Sequence, residues 1–177
     1  MATDDTSEPL TADPRHPQLA FRRVAPDDHA RVVDVIPAWW GLPGSANLGL
    51  LLPRLFFQHF GDTSTIVEDA DGVLAGFLIG FRSQSTPEVA YIHFVGVRPD
   101  LRRSGLARGL YERFFDEMRA SGCRRVDAIT GPGNRRSQEF HAAMGFTASG
   151  DTTTDGVRAW RDYDGPGEHR VAFSRPL

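Results

Sequence analysis

A mixed α/β fold built around a sheet is what this chain predicts, and three observations carry that prediction. Strand candidates alternate with stretches that have apolar residues at helical spacing. Two of the strand candidates are joined by a Gly-containing hairpin turn. One nearly continuous apolar run, Val89 to Val97, has the character of a central strand.

Residues 1–18 carry four carboxylates, three prolines and few large apolar groups, so a disordered acidic tail is expected there, with a single domain over residues 19–177. Ala20 to Val24 reads as a short strand, and Pro26-Asp27-Asp28 opens a helix to about Ile36 that Pro37 helps to end. Trp39-Trp40-Gly41-Leu42-Pro43-Gly44-Ser45 interrupts with two indole rings and turn formers, before a second helix from Asn47 to Phe60. Thr65 to Asp69 and Val73 to Arg82 are strands joined through Ala70-Asp71-Gly72. After Val97 comes a helix from Leu106 to Ser121 with Leu106, Leu110, Phe114 and Met118 on one stripe and Gly122 as its stop. A strand at Val126 to Thr130, a Gly131-Pro132-Gly133 loop and a helix from Arg135 to Met144 follow, and the chain closes on strand candidates Val157 to Tyr163 and His169 to Ser174.

At 177 residues and 40% hydrophobic content, the chain can bury the core of one ordinary domain. No apolar run approaches the roughly 20 residues a membrane helix needs, and the acidic amino terminus is unlike a targeting segment, so a soluble cytoplasmic protein with no membrane partner is expected. All twenty basic side chains are arginine, which excludes a lysine Schiff base and a Gly-Lys-Ser/Thr phosphate loop. The lone Cys123 has no partner for an internal disulfide, and neither it nor the histidines show ligand spacing for a metal. The net charge is -3, yet between Arg98 and Arg136 ten arginines face five carboxylates. That local excess suits a polyphosphate ligand; a solvated helix face is the plainer reading for Arg113 and Arg119. The patch lacks the interleaved aromatics of a nucleic-acid site.

The centre of that excess is a turn. Arg102, Arg103, Ser104, Gly105, Leu106 and Ala107 fit Arg-x-x-Gly-x-Ala between the apolar strand and its following helix. Small residues at the last two marked positions let backbone approach a bulky ligand, and the amides that open the helix then point at an anion. This pattern resembles the acyl-CoA motif of the GNAT superfamily of N-acyltransferases. Asn134 after the next strand, and Phe140-His141-Ala142-Ala143-Met144-Gly145-Phe146, similar to that family's Phe-Tyr-x-x-x-Gly-Phe segment, extend the resemblance over residues 20–175.

The resemblance implies a mixed, mostly antiparallel sheet of about six to seven strands, with splayed central strands and helices on both faces. It implies acetyl-CoA as co-substrate, with no metal, and a small-molecule or peptide amine as acceptor. Pantetheine would pair near Phe94, Val95, Gly96 and Val97, with Gly96 as the site of a splaying bulge. The amides of Arg103 to Ala107 would hold pyrophosphate, with charge from Arg102, Arg103 and Arg108, while Asn134 and Ser137 would reach the pantetheine arm. His93 is the first choice for general base, a satisfied strand histidine being its other reading, and Glu88 is the reserve. His141 stands where the family commonly has a tyrosine acid, so it is either the acid or a helix-surface residue. Trp39 and Trp40 would bound the acceptor site, or else pack in the core. The expected activity is direct transfer of an acetyl group to a primary amine in a ternary complex; the alternative is a non-catalytic acyl-CoA-binding regulatory module. Homodimers are common among relatives, although no segment here declares an interface.

Overall fold

The computed structural model describes residues 8–41 and 45–177, and its contacts divide the chain into two compact units. The first comprises the residues up to Phe81 together with Phe94–Glu117, and the second comprises Arg82–His93 with Met118–Leu177. Strand β5 (Val89–Val97) and helix α3 (Leu106–Ala120) each run from one unit into the other. The remaining elements in chain order are β1 (Pro9–Leu10), β2 (Ala20–Arg23), α1 (Asp28–Trp40), α2 (Leu55–His59), β3 (Thr65–Glu68), β4 (Leu74–Arg82), β6 (Arg125–Thr130), α4 (Arg135–Ala143), β7 (Thr147–Ser149), β8 (Thr152–Thr154), β9 (Val157–Ala159) and β10 (Val171–Pro176).

In the first unit the strand order is β1, β2, β3, β4 and the carboxyl half of β5, with antiparallel pairs from β1 to β4. Phe77 and Gly76 alternate to opposite faces of β4. Trp39 of α1 stacks on Phe77 at 5.9 Å between ring centroids, whereas a Cβ placed on Gly76 would touch Leu106 and Leu110 of α3 at 3.3 and 3.7 Å. Helices thus cover both faces of β4, and that is why the strand reads as an unbroken apolar run rather than an alternating one. Val32, Ile36 and Trp39, one helical face of α1, close the core with Leu52, Phe57, Ile66 and Ile79.

In the second unit the order is the amino half of β5, then β6, β10 and β7. β5 and β6 run parallel, through Val89↔Arg125, Ala90↔Val126 and Tyr91↔Asp127, and the other pairs are antiparallel. Among the described residues the main strands number eight, counting β5 once, slightly more than the six or seven expected, and β8 and β9 form a separate hairpin. Helix α3 ends as its glycine signal implies: Gly122 takes a left-handed φ of 91°, Gly122 N–H donates to Arg119 O, and Cys123 N–H donates to Met118 O.

Several expectations are corrected. Pro37 lies inside α1, which runs on to Trp40 and is stopped by Gly41 (φ 61°), because a proline removes one donor from the preceding turn without barring the residues after it. The second expected helix is broken: a 3-10 turn at Ser45–Leu51 and the short α2 flank Leu52-Pro53, where proline again denies an amide. Of the expected tail, residues 1–7 lie outside the described residues, as do residues 42–44 of the Trp-rich turn. Residues 8–18 carry β1, and within them Asp13 and His16 are buried. Arg15 reaches Asp13 and Glu112, each at 2.8 Å, an attachment that composition does not reveal. No described helix is long and apolar enough to cross a membrane.

Candidate active site

In the first unit the carboxyl end of β5 leads into the Arg/Gly turn. Arg98 continues the strand by donating its amide to Ala75 O at 2.9 Å, and its guanidinium is fixed by Asp69 at 2.7 Å and Asp100 at 2.9 Å. Sequence reasoning passed over Arg98 as a structural anchor; the paired acids at positions 69 and 100 lie far apart in the chain. The Ser104 hydroxyl donates to Leu101 O at 2.7 Å, tightening the turn, and Arg103 adopts a left-handed φ of 64°. Gly105 follows at φ 93°, and a Cβ there would meet no protein atom within 4 Å.

Helix α3 begins at Leu106, which is buried, and the first carbonyl-bonded amide is that of Gly109, donating to Gly105 O at 2.9 Å. The amides just before it belong to the opening turn, where an α-helix supplies no internal acceptor. The turn therefore offers backbone donors, the positive end of a helix and the exposed cations Arg103 and Arg108, beside open space at Gly105. Arg102 does something else: its Nη2 donates to Trp39 O near the end of α1, so its charge caps a helix carboxyl terminus.

The β5 residues preceding the turn are packed rather than open. Phe94 lies 5.3 Å from Trp40 and 6.1 Å from Phe77, measured between ring centroids. Gly96 is required by that packing, since a Cβ would lie 2.7 Å from Phe77 Cζ and 3.1 Å from Trp40. The one register irregularity described in the first unit's strands falls at Val67/Glu68. Val95 and Val97 are half-buried. Trp39 belongs to the core at 6% exposure, and Trp40 packs against the same cluster while remaining half-buried.

The second unit carries the titratable candidates. His93 is half-buried on β5, its ring centroid 6.4 Å from that of Tyr91. Glu88 is exposed just before β5, and its carbonyl accepts the amides of Arg124 and Arg125. Five residues of strand separate Glu88 from His93, about 16 Å, so they cannot serve one reacting atom together. Burial, with Tyr163, Asp164 and Asp127 nearby, pushes the Tyr91 phenol above its ordinary range. Burial does the same to Tyr111, which packs edge-on against Phe115 at 5.9 Å.

Asn134 is the N-cap of α4, its Oδ1 accepting from Ser137 N–H at 3.1 Å. The Ser137 carbonyl in turn accepts from His141 Nδ1 at 2.8 Å. His141 is 5% exposed and stacks on Phe173 at 4.5 Å with an interplanar angle of 4°. Burial lowers its pKa below the ordinary histidine value, against a smaller opposing effect of the Ser137 bond. Because a carbonyl can only accept, Nδ1 holds the proton in this bond, and the Nε2 of the neutral ring is unprotonated. Among the described residues, no group of His, Cys, Asp and Glu is arranged to hold a metal ion.

The acetyltransferase (GNAT) family profile matches residues 35–146. An L-2,4-diaminobutyric acid acetyltransferase of Nocardia farcinica is 28% identical over 51% of this chain and 46% of its own length. The enzyme of the same description from Streptomyces coelicolor is 28% identical over 66% of this chain and 71% of its own. The chain thus spans about half the length of the first of these relatives. Among solved structures, diaminobutyrate acetyltransferase EctA from Paenibacillus lautus, in complex with L-2,4-diaminobutyric acid and coenzyme A, superposes with a TM-score of 0.64 at 21% identity, over 89% of this chain and 95% of that one. The ribosomal-protein-S18-alanine N-acetyltransferase of Escherichia coli gives 0.63 at 17% identity, over 90% and 94%. The fold is shared with these structures, and with the profile match spanning well over half of its residues, the chain belongs to the acetyltransferase (GNAT) family.

Proposed function

We propose that this protein is an acetyl-CoA-dependent N-acetyltransferase acting on a small primary amine by direct attack, in the cytoplasm where acetyl-CoA is at hand. The Arg/Gly turn carries the reading: left-handed Arg103, open space at Gly105 and the opening of α3 form a backbone cradle of the kind that takes a pyrophosphate. Arg103 and Arg108 supply charge there, while Arg102 positions the end of α1. The donor set fits a CoA phosphate: amides and guanidiniums, with no carboxylate among residues 101–108. Acetyl-CoA supplies the activated acyl group.

The acceptor arrives as an ammonium, and His93 takes its proton, directly or through one water. The freed nitrogen attacks the thioester carbonyl, the carbon–sulfur bond breaks, the second proton leaves the nitrogen for the departing thiolate, directly or through water, and the acetyl group remains on nitrogen as an amide. The departing thiol has an ordinary pKa of about 8.5, so it leaves as a thiolate without strict need of an acid. That suits His141, whose buried neutral ring presents no proton on Nε2; its place is to brace α4 against Phe173. The relatives named for L-2,4-diaminobutyric acid make a small amino acid the first acceptor to try.

Calorimetric titration with acetyl-CoA, followed by thiol release against amines, tests the reading. Amine-dependent release is expected; binding without release would leave a regulatory module, and no binding would overturn the assignment. His93→Gln should lower kcat by about 100-fold, in the range of general base catalysis, with acetyl-CoA affinity unchanged. His141→Phe should keep kcat within about three-fold while lowering the melting temperature, because Ser137 O loses a buried donor worth about 1 kcal/mol.

A further inference from the structure

The segment between β1 and β2 lies outside the residues that match the family profile, yet it grips α3, the helix whose opening amides form the anion cradle. Asp13 is 6% exposed, and its carboxylate is closed on Arg15 of the same segment. Arg15 donates from Nε and from its own amide to Oδ1, both at 2.9 Å, and from Nη2 to Oδ2 at 2.8 Å. These bonds outweigh burial and hold the Asp13 carboxyl below its ordinary range. The remaining arm, Nη1, donates to Glu112 Oε2 on α3 at 2.8 Å. Arg113, the next helix residue, donates from Nη2 to Thr11 O. The pair packs on bare helix backbone at Gly109, where a Cβ would lie 2.4 Å from Asp13 Oδ2 and 2.9 Å from Arg15 Nη2. The same segment also buries His16, 4% exposed, whose Nε2 meets no hydrogen-bond partner among the described residues. That unsatisfied group keeps the hold marginal, as an exchangeable contact requires.

Glu112 faces two cations. Its Oε1 lies 3.8 Å from Nη1 of Arg108, one helical turn back toward the cradle, while Oε2 takes Arg15. Arg108, with its side chain 50% exposed, is one of the cations assigned to phosphate. A carboxylate in this place opposes an arriving phosphate in two ways, by competing for Arg108 and by repelling the anion. Arg15 counters both, since a carboxylate already paired at 2.8 Å gives up a loose contact at 3.8 Å readily. When phosphate draws Arg108 away, Glu112 turns wholly to Arg15; when the segment leaves α3, Glu112 turns to Arg108.

We propose that Arg15 and Glu112 are positioning residues for acetyl-CoA: Arg15 occupies Glu112 and so leaves Arg108 to the phosphate. A docked amino-terminal segment then raises acetyl-CoA affinity, and bound acetyl-CoA in turn tightens that segment. This rests on the transferase reading above, with a CoA phosphate at the Arg/Gly turn. Linkage makes the two effects reciprocal, so one factor governs both. An exposed ion pair sets that factor at about three- to five-fold.

Gly109→Ala tests the coupling without weakening the helix. Its methyl group would force the Asp13 carboxylate and the Arg15 fork away from α3, whereas alanine is the stronger helix former. Calorimetry on the whole protein should show acetyl-CoA binding weakened about three- to five-fold. Gly109→Ala/Glu112→Gln should recover to within about two-fold of the wild type, because no carboxylate is left to compete for Arg108. Hydrogen exchange reads the reciprocal effect on the amides of Arg15, His16 and Leu19, which donate to Asp13 Oδ1, Asp13 O and His16 O. They should exchange about three-fold more slowly once acetyl-CoA saturates the wild type, and Glu112→Gln should lose that response.

An affinity loss in Gly109→Ala that Glu112→Gln leaves in place would overturn the proposal. So would wild-type affinity in a Gly109→Ala protein whose segment exchanges faster. Acetyl-CoA binding that leaves the three amides unchanged in the wild type would remove the coupling alone, whereas no acetyl-CoA binding at all would remove the transferase reading with it.

Discussion

Gly105→Val is expected to raise the dissociation constant for acetyl-CoA by at least about 100-fold, equivalent to about 2.7 kcal/mol. A Cβ at Gly105 meets no atom within 4 Å beyond its chain neighbours, so the first carbon of a valine side chain has room there. It would fill the volume that brings backbone amides against a phosphate. Its other cost is conformational: φ of 93° is a region that side-chain-bearing residues avoid, worth about 1–3 kcal/mol of stability. Gly72 separates the two effects. It has φ of 74° and equally open surroundings, but sits in the hairpin turn ahead of β4. Gly72→Val should lose stability to a similar degree and keep its acetyl-CoA affinity, as calorimetry and denaturant titration on both variants would measure. A Gly105→Val protein with unchanged affinity would remove the phosphate role of the turn.

Asp28→Ala should cost about 3–5 kcal/mol, since it removes one side of a buried ionic network. Asp28 is 3% exposed and accepts from Arg22 Nη1 and Nη2, both at 2.7 Å, from Arg31 at 3.0 Å and from the Ala25 amide at 2.9 Å. Glu68 takes the other sides of the same guanidiniums, through Arg22 at 2.9 Å and Arg31 at 2.7 Å. Without Asp28 two cations share one carboxylate, with Arg22 only 18% exposed. Burial alone would raise the Asp28 pKa, but the bonds from Arg22 and the Ala25 amide, with the charges of Arg22 and Arg31, outweigh it and the net shift is downward. Glu68 is lowered as well, first by the hydrogen bond from Arg22.

A depressed carboxylate stabilises fully above its unfolded pKa, about 3.9 for Asp and 4.3 for Glu, and loses that contribution as pH falls through the folded value. The wild type should therefore lose stability steeply below about pH 4, and Asp28→Ala should show a shallower acid limb from a lower plateau. Parallel acid limbs in the two proteins would show that Asp28 does not carry the linkage.

The parts of the fold written in local patterns were readable. β5 appears with the expected limits, and all four residues of the α3 stripe, Leu106, Leu110, Phe114 and Met118, are buried. What could not be read depends on partners distant in sequence. Arg102 lies in a phosphate motif, yet its guanidinium reaches a carbonyl 63 residues away. Trp39 and Trp40 looked like loop residues because a proline precedes them, and only the continuation of α1 packs them against Phe77 and Phe94.

His141 matched a motif position, but its burial and its stacking on Phe173 come from β10, which lies beyond the motif. β8 was missed because Thr152–Thr154 has no apolar alternation, although the next two residues gave a signal. Asp155 and Gly156, at φ 51° and 78°, form the Asp-Gly turn that joins β8 to β9.

β1 has a consequence for anyone tempted to shorten this protein. Its two residues pair with β2 through Pro9↔Arg22 and Leu10↔Phe21, and β3 occupies the other side of β2. Cutting at residue 18, as the acidic composition invites, would leave β2 with a row of bare backbone donors and acceptors, a template on which another molecule's strand could pair. The cut would also strip Asp13 and Arg15 from Gly109 on α3, where a Cβ would already collide with Asp13. A segment whose charge and prolines suggest a dispensable solvated tail thus acts as a guard against self-association, and trimming for solubility would produce aggregation instead.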